Sequence, residues 1–163
     1  MDMIKVGPVG GYDIGGTIWD EKGRDQVGGI LVSYSKDGVD SLQFLFYENG
    51  NLVQSNKHGI HHRENFCAVF FDYPLEFLTS ISGSSEKVSQ YMSSTILTSI
   101  VFGTNKGSYG PFGKFSNDVD NDIDFNFHIG NHRLFGGFHG SQNCHGIESI
   151  GVYVKTTTSS MTH

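Results

Sequence analysis

The stretch Gly136-Gly137-Phe138-His139-Gly140-Ser141-Gln142-Asn143-Cys144-His145-Gly146-Ile147-Glu148-Ser149-Ile150-Gly151-Val152-Tyr153-Val154 decides how this chain is read. A glycine-flanked strand enters a nine-residue polar loop, and a β-branched strand leaves it with one carboxylate, Glu148, at its start. Such a layout suits a shallow site that holds a small polyol through backbone N–H groups and one acid.

Outward from this segment the same texture repeats. Short alternating or apolar runs recur at close spacing, each closed by Gly, Asn, Asp or Ser. They predict strands over residues 4–6, 16–19, 29–34, 41–47, 52–54, 65–71, 77–83, 96–103, 110–115, 123–128, 133–139 and 148–155. Asp37-Gly38 and Asn49-Gly50 supply turn signals between them. About twelve strands without an amphipathic helical period imply an all-β protein whose sheets pack into a closed or nearly closed architecture.

Composition agrees. Glycine is abundant at 22 residues and Phe at 13, while alanine occurs once, at Ala68, so long helices have little to build on. At 163 residues the chain suits one domain over 1–155, with a polar and disordered tail over 156–163. The net charge of −6 lacks a basic stripe, which argues against a nucleic-acid partner. No apolar run is long enough to span a membrane, no signal peptide is evident, and Cys67 and Cys144 fit no metal or redox spacing. A cytoplasmic protein that also reaches the nucleus fits these features.

An internal echo runs through the strands. Val39-Asp40-Ser41-Leu42, Leu78-Thr79-Ser80-Ile81, Leu97-Thr98-Ser99-Ile100 and Ile147-Glu148-Ser149-Ile150 share the form aliphatic-x-Ser-aliphatic at a strand start. Strict alternation places the two aliphatics on opposite faces. Ordinary strand composition and an old internal repeat both account for the echo.

Chemistry-bearing clusters are few. Gly10-Gly11 and Gly15-Gly16 precede Thr17-Ile18-Trp19 and allow either a tight turn or close backbone approach to a ligand. His58, His61 and His62 cluster without the spacing or third ligand of a zinc site. The run Asp118-x-Asp120-x-Asp122-x-Asp124 has Ile123 and Ile129 where a calcium loop needs Gly and Glu, so it reads as a polar turn entering a strand. Cys144 and His145 are chain neighbours with no third orienting group, which argues against catalysis.

Several ordered motifs carry a resemblance. They are Gly10-Gly11 and Gly15-Gly16 before Trp19-Asp20-Glu21, and Tyr73-Pro74-Leu75-Glu76-Phe77-Leu78-Thr79-Ser80-Ile81-Ser82-Gly83. Phe102-Gly103-Thr104-Asn105-Lys106 with Tyr109-Gly110-Pro111-Phe112-Gly113, and the closing 136–154 segment, complete the set. From about Lys5 to Lys155 the chain resembles the plant jacalin-related lectins. The resemblance implies a β-prism I fold, with three four-stranded Greek-key sheets around a pseudo-threefold axis. It also implies metal-free, non-catalytic sugar binding without a cofactor. The uninterrupted N-terminal segment looks like the unsplit branch, which prefers mannose- or glucose-containing glycans and forms homo-oligomers.

The family's site combines a first-loop glycine with a Gly-x-x-x-Asp motif in the last loop. On this chain the resemblance places the glycine at Gly16, the backbone-contact positions at His145 and Gly146, and the acid at Glu148. Cys144 takes the motif glycine's place, and the loop is slightly longer. Glu for Asp moves the charge by roughly 1.5 Å. A shallow, wet site of this kind binds at about millimolar strength, roughly −4 kcal/mol. A second family site would lie at Lys36-Asp37-Gly38-Val39-Asp40, where the upstream acid is missing. Some defence and antiviral-resistance members share the Gly7-Pro8-Val9-Gly10 opening and Phe138-His139-Gly140, and lack the binding aspartate. The alternative function on the same fold is therefore a protein-interaction module in plant defence.

Overall fold

β-branched and aromatic runs between glycine and asparagine turns form twelve strands in the computed structural model, which describes residues 2–11, 16–22, 25–61, 65–89, 93–114 and 122–156. In chain order these are β1 (Met3–Val9), β2 (Thr17–Lys22), β3 (Gln26–Ser35), β4 (Gly38–Glu48), β5 (Asn51–Gly59) and β6 (Asn65–Phe70). They continue as β7 (Leu78–Lys87), β8 (Thr95–Thr104), β9 (Gly107–Gly113), β10 (Asp122–His128), β11 (Phe135–Asn143) and β12 (Gly146–Lys155). The twelve expected strands match these in order, with ends that shift by a few residues. The tail beyond Thr156 and most of the acidic run, residues 118–121, lie outside the described residues.

The strands form three four-stranded antiparallel sheets, ordered β1-β12-β11-β2, β5-β4-β3-β6 and β10-β7-β8-β9. Each has a hairpin at its centre: β11–β12, β3–β4 or β7–β8. This is the expected β-prism I. Pairing of β1 with β12 joins the two ends of the chain, with Ile4 opposite Val154.

The internal echo is structural, and strict alternation does not describe it. At all four copies the ladder slips by one residue, at Asp40, Thr79, Thr98 and Glu148. A bulge adds one residue to the strand, so the aliphatics on either side return to the same face. Val39 and Leu42, Leu78 and Ile81, Leu97 and Ile100, and Ile147 and Ile150 are accordingly all in the core. The three central hairpins also share a serine pair across the ladder. Ser33 and Ser41 Oγ are 2.6 Å apart, Ser84 and Ser99 2.9 Å, and Ser141 and Ser149 2.6 Å. The chain is therefore an internal threefold repeat.

Between the sheets, Phe44 stacks on Phe138 at 4.0 Å between ring centroids, with Phe46 and Phe135 beside them. Trp19 stacks on His58 at 4.5 Å and brings β2 against β5. Such pairs contribute about 0.5–1.5 kcal/mol beyond the area they bury.

Candidate functional site

The expected polar loop is mostly strand. Ladder pairing runs through Gln142 opposite Ile147 to Asn143 opposite Gly146, leaving only Cys144 and His145 as the turn, both exposed. Side-chain hydrogen bonds explain the closure. Asn143 Oδ1 accepts from the His145 N–H at 2.8 Å, and its Nδ2 donates to Ser94 Oγ at 3.0 Å and Thr95 O at 3.2 Å. Gln142 Oε1 accepts from the Gly59 N–H at 2.7 Å. The tip is thereby tied to β8 and to the end of β5. Gly146 has φ +136°, and a Cβ there would lie 2.7 Å from Val39 O, so glycine is needed for both reasons.

Glu148, expected as the sugar acceptor, lies inside the hairpin. It is the bulge residue, with no exposed surface. Its Oε1 accepts from Ser141 Oγ at 2.8 Å, and its Oε2 accepts from Ser94 Oγ and from Asn143 Nδ2 at 3.3 Å. Burial of a carboxylate demands such donors. The acid braces the hairpin from within instead of facing solvent.

The first loop packs on the same point. Gly10 has φ +111°, and a Cβ there would lie 2.7 Å from Glu148 O. The Gly11 N–H donates to Thr95 Oγ1 at 2.8 Å, and that hydroxyl donates to Glu148 O at 2.7 Å. Tyr12–Gly15 lie outside the described residues. Thr17 pairs with Gln142, so Gly16 stands one residue beyond that ladder on the Asn143 side. The structure therefore gathers Gly16, His145 and Gly146 at one end of the first sheet, with Glu148 beneath them. Sequence reasoning missed Ser94 and Asn143. The signal for Asn143 was available, since Asn143-Cys144-His145-Gly146 matches the turn residues 35–38, where the Asp37 N–H donates to Ser35 Oγ at 3.2 Å.

Two histidines away from this point have structural partners. His58 Nε2 meets Glu21 Oε1 at 2.8 Å, and His139 Nε2 meets Val6 O at 2.9 Å. Burial pulls the His139 imidazole below its ordinary pKa. His62 lies outside the described residues. Among the described residues no three His, Cys, Asp or Glu side chains gather to hold a metal, and no helix is long and apolar enough to cross a membrane.

Residues 6–153 match the Jacalin-like lectin domain. The chain is 36% identical over 159 residues to Protein RESTRICTED TEV MOVEMENT 1 of Arabidopsis thaliana, covering 95% of this chain and 88% of that protein. It is 35% identical over 162 residues to Jacalin-related lectin 2 of the same plant, covering 94% and 87%. The fold superposes with a TM-score of 0.81 on a mannose-specific jacalin-related lectin from Morus nigra solved with mannose, at 27% identity and covering 95% and 96% of the two chains. On its sequence motifs, threefold fold and these likenesses, the chain belongs to the jacalin-like lectin domain family.

Proposed function

We propose that this protein is a metal-independent, non-catalytic lectin that takes a mannose- or glucose-type sugar at the β11–β12 turn beside Gly16. One observation carries the reading. The exposed Cys144–His145 turn and Gly16 lie together at the end of the β2–β11 ladder, on a fold shared with a lectin that holds mannose. Gly16 leaves its backbone open to close approach. His145 presents its ring at the rim, and Gly146 shapes the turn. Glu148 positions the hairpin from inside and touches no sugar. A site this shallow binds at about millimolar strength, and a homo-oligomer multiplies it by avidity. A cytoplasmic, partly nuclear lectin in plant defence or stress fits the likeness to Protein RESTRICTED TEV MOVEMENT 1.

A specific observation favours a second reading, a protein-interaction module in defence. The Glu148 carboxylate and the His145 N–H already have internal partners, so two groups expected to meet the sugar are taken. A glycan array separates the readings. Binding to mannosides above background, lost in Gly16→Val, supports the lectin. A folded protein that binds no glycan overturns it in favour of the module.

A further inference from the structure

In the second sheet the ladders set Gly59, Ser41, Ser33 and Phe66 side by side, one on each strand from β5 across to β6. The neighbouring outward row is Lys57, Gln43, Leu31 and Ala68. Val32 and Leu42, between these rows, point into the core. Small side chains therefore make a floor, with Phe66 and Lys57 standing on opposite outer strands. An open cavity of about 530 Å³ lies between them, lined by Leu31, Ser33, Ser41, Gln43, Lys57 and Phe66. Small-molecule sites have this size.

The threefold repeat shows what is particular to this sheet. Opposite Ser141 in the first sheet stands Ile18, and opposite Ser84 in the third stands Asp124. Only the second sheet raises an aromatic wall there, and Phe66 is 63% exposed. The hydroxyls differ too. Ser33 and Ser41, both buried, are 2.6 Å apart and place one proton between them, so the second proton is left over. In the first sheet the corresponding proton bonds Glu148 Oε1. In the second, no acceptor among the described residues takes it. Lys57 is the one charged residue lining the cavity. Its Nζ lies 3.4 Å from His61 Nδ1, and among the described residues no carboxylate pairs with it.

We infer that this cavity is a binding site for a small aromatic carboxylate. The ring lies over Ser33 against Phe66 and Leu31, where stacking rewards a flat apolar body. The carboxylate lies over Ser41, taking the left-over serine proton and the charge of Lys57. Gln43 donates through Nε2 to Ser55 O at 2.9 Å, which holds its side chain as part of the wall. A single cation matches a single anionic end, and a neutral ligand leaves Lys57 unanswered. The site goes beyond the proposed lectin function, and it is on a different sheet from the Gly16 turn.

Titration of 2-naphthoate with the purified, sugar-free chain, followed by the probe's fluorescence anisotropy, tests it. Saturable binding is expected, weakened about fivefold in Lys57→Met and about tenfold in Phe66→Ser. Ile18→Ser, the same change at the equivalent position of the first sheet, is expected to leave it unchanged. The neutral 2-naphthylmethanol is expected to bind more weakly than naphthoate and to be indifferent to Lys57→Met. Urea midpoints of the variants verify that each remains folded, and Lys57→Met and Phe66→Ser are read independently. Absence of saturable binding overturns the proposal. So does naphthoate binding that a folded Lys57→Met or Phe66→Ser leaves unchanged, or an equal loss in Ile18→Ser. Displacement of naphthoate by excess methyl mannoside also overturns it, because the cavity would then be part of a sugar site. The titration itself needs no glycan, so its failure is distinct from failure of the lectin reading.

Discussion

Ser141 and Ser149 face each other across the β11–β12 ladder with their hydroxyl oxygens 2.6 Å apart, and Ser141 spends its one proton on Glu148 Oε1 at 2.8 Å. Ser149 must therefore donate to Ser141. The chain of bonds Ser149–Ser141–Glu148 runs on to Ser94 and Asn143, and so joins β11, β12 and the approach to β8. Glu148→Ala leaves the Ser94 and Ser141 hydroxyls without their acceptor and takes one of three from the Asn143 amide. The expected loss is about 2–4 kcal/mol, read as a lower midpoint in urea with an unchanged slope. Glu148→Gln keeps one acceptor oxygen and is expected to fall between wild type and alanine. If alanine were neutral, the carboxylate would not be bracing the hairpin.

The burial of Glu148 also shows where sequence reading stopped. All twelve strands were legible, because Val, Ile, Phe and Gly mark strands and turns locally. The form aliphatic-x-Ser-aliphatic was visible too, but alternation alone put Ile147 and Ile150 on opposite faces. Only the ladder reveals the bulge at Glu148 that turns both inward. The carboxylate's partners are equally non-local: Ser94 is 54 residues away. An acid at a strand start looks solvated in sequence, and becomes internal only when another sheet's loop covers it. Gly16, by contrast, precedes Thr17, whose pairing with Gln142 puts it at the turn end of the sheet.

Glu76 is expected to give the fold an acid-sensitive limb. Burial pushes its carboxyl up, but the Asp72 N–H at 2.9 Å, Thr104 Oγ1 at 2.7 Å and the Tyr109 hydroxyl at 2.9 Å outweigh that, with Lys106 adding its charge. The net result lies below the ordinary value of 4.5. A depressed folded pKa contributes stability that is present above the unfolded value and is lost as pH falls through the folded one. Urea midpoints measured downward from neutral pH should begin to drop near 4.5. In Glu76→Gln that portion of the pH dependence disappears, at the cost of lower stability at neutral pH. An acid limb unchanged in the variant would assign the effect to other carboxylates.

The buried Tyr153 should titrate late. Burial, and then the bond from its hydroxyl to Asp20 Oδ2 at 2.6 Å, push its pKa from 10.0 up to about 12. A raised folded pKa means stability that is fully present below the unfolded value and is lost as pH climbs through the folded one. Alkaline titration followed by phenolate absorbance should show a delayed component from Tyr153. Asp20→Asn is expected to move that component back toward the ordinary value, and Tyr153→Phe to remove it. A delayed component that survives Tyr153→Phe would belong to another residue.

The threefold repeat makes a ranked prediction about glycines. Gly59, Gly113 and Gly10 stand over the bulge carbonyls of Asp40, Thr98 and Glu148, with φ of +109°, +112° and +111°. A Cβ would lie 2.1 Å, 2.2 Å and 2.7 Å from those oxygens. At the first two, the next residue also uses the oxygen: Ile60 N–H bonds Asp40 O at 2.9 Å, and Lys114 N–H bonds Thr98 O at 2.7 Å. Gly50 has φ +81° with nothing within 4 Å, so it isolates the backbone term. Gly50→Ala should cost about 1 kcal/mol from φ alone. Gly59→Ala and Gly113→Ala should each cost about 3 kcal/mol, because the collision adds to it and a hydrogen bond is strained. Gly10→Ala should fall between these limits. Equal costs at Gly50 and Gly59 would mean that positive φ, and not the contact with the bulge carbonyl, is what selects glycine at the three equivalent corners.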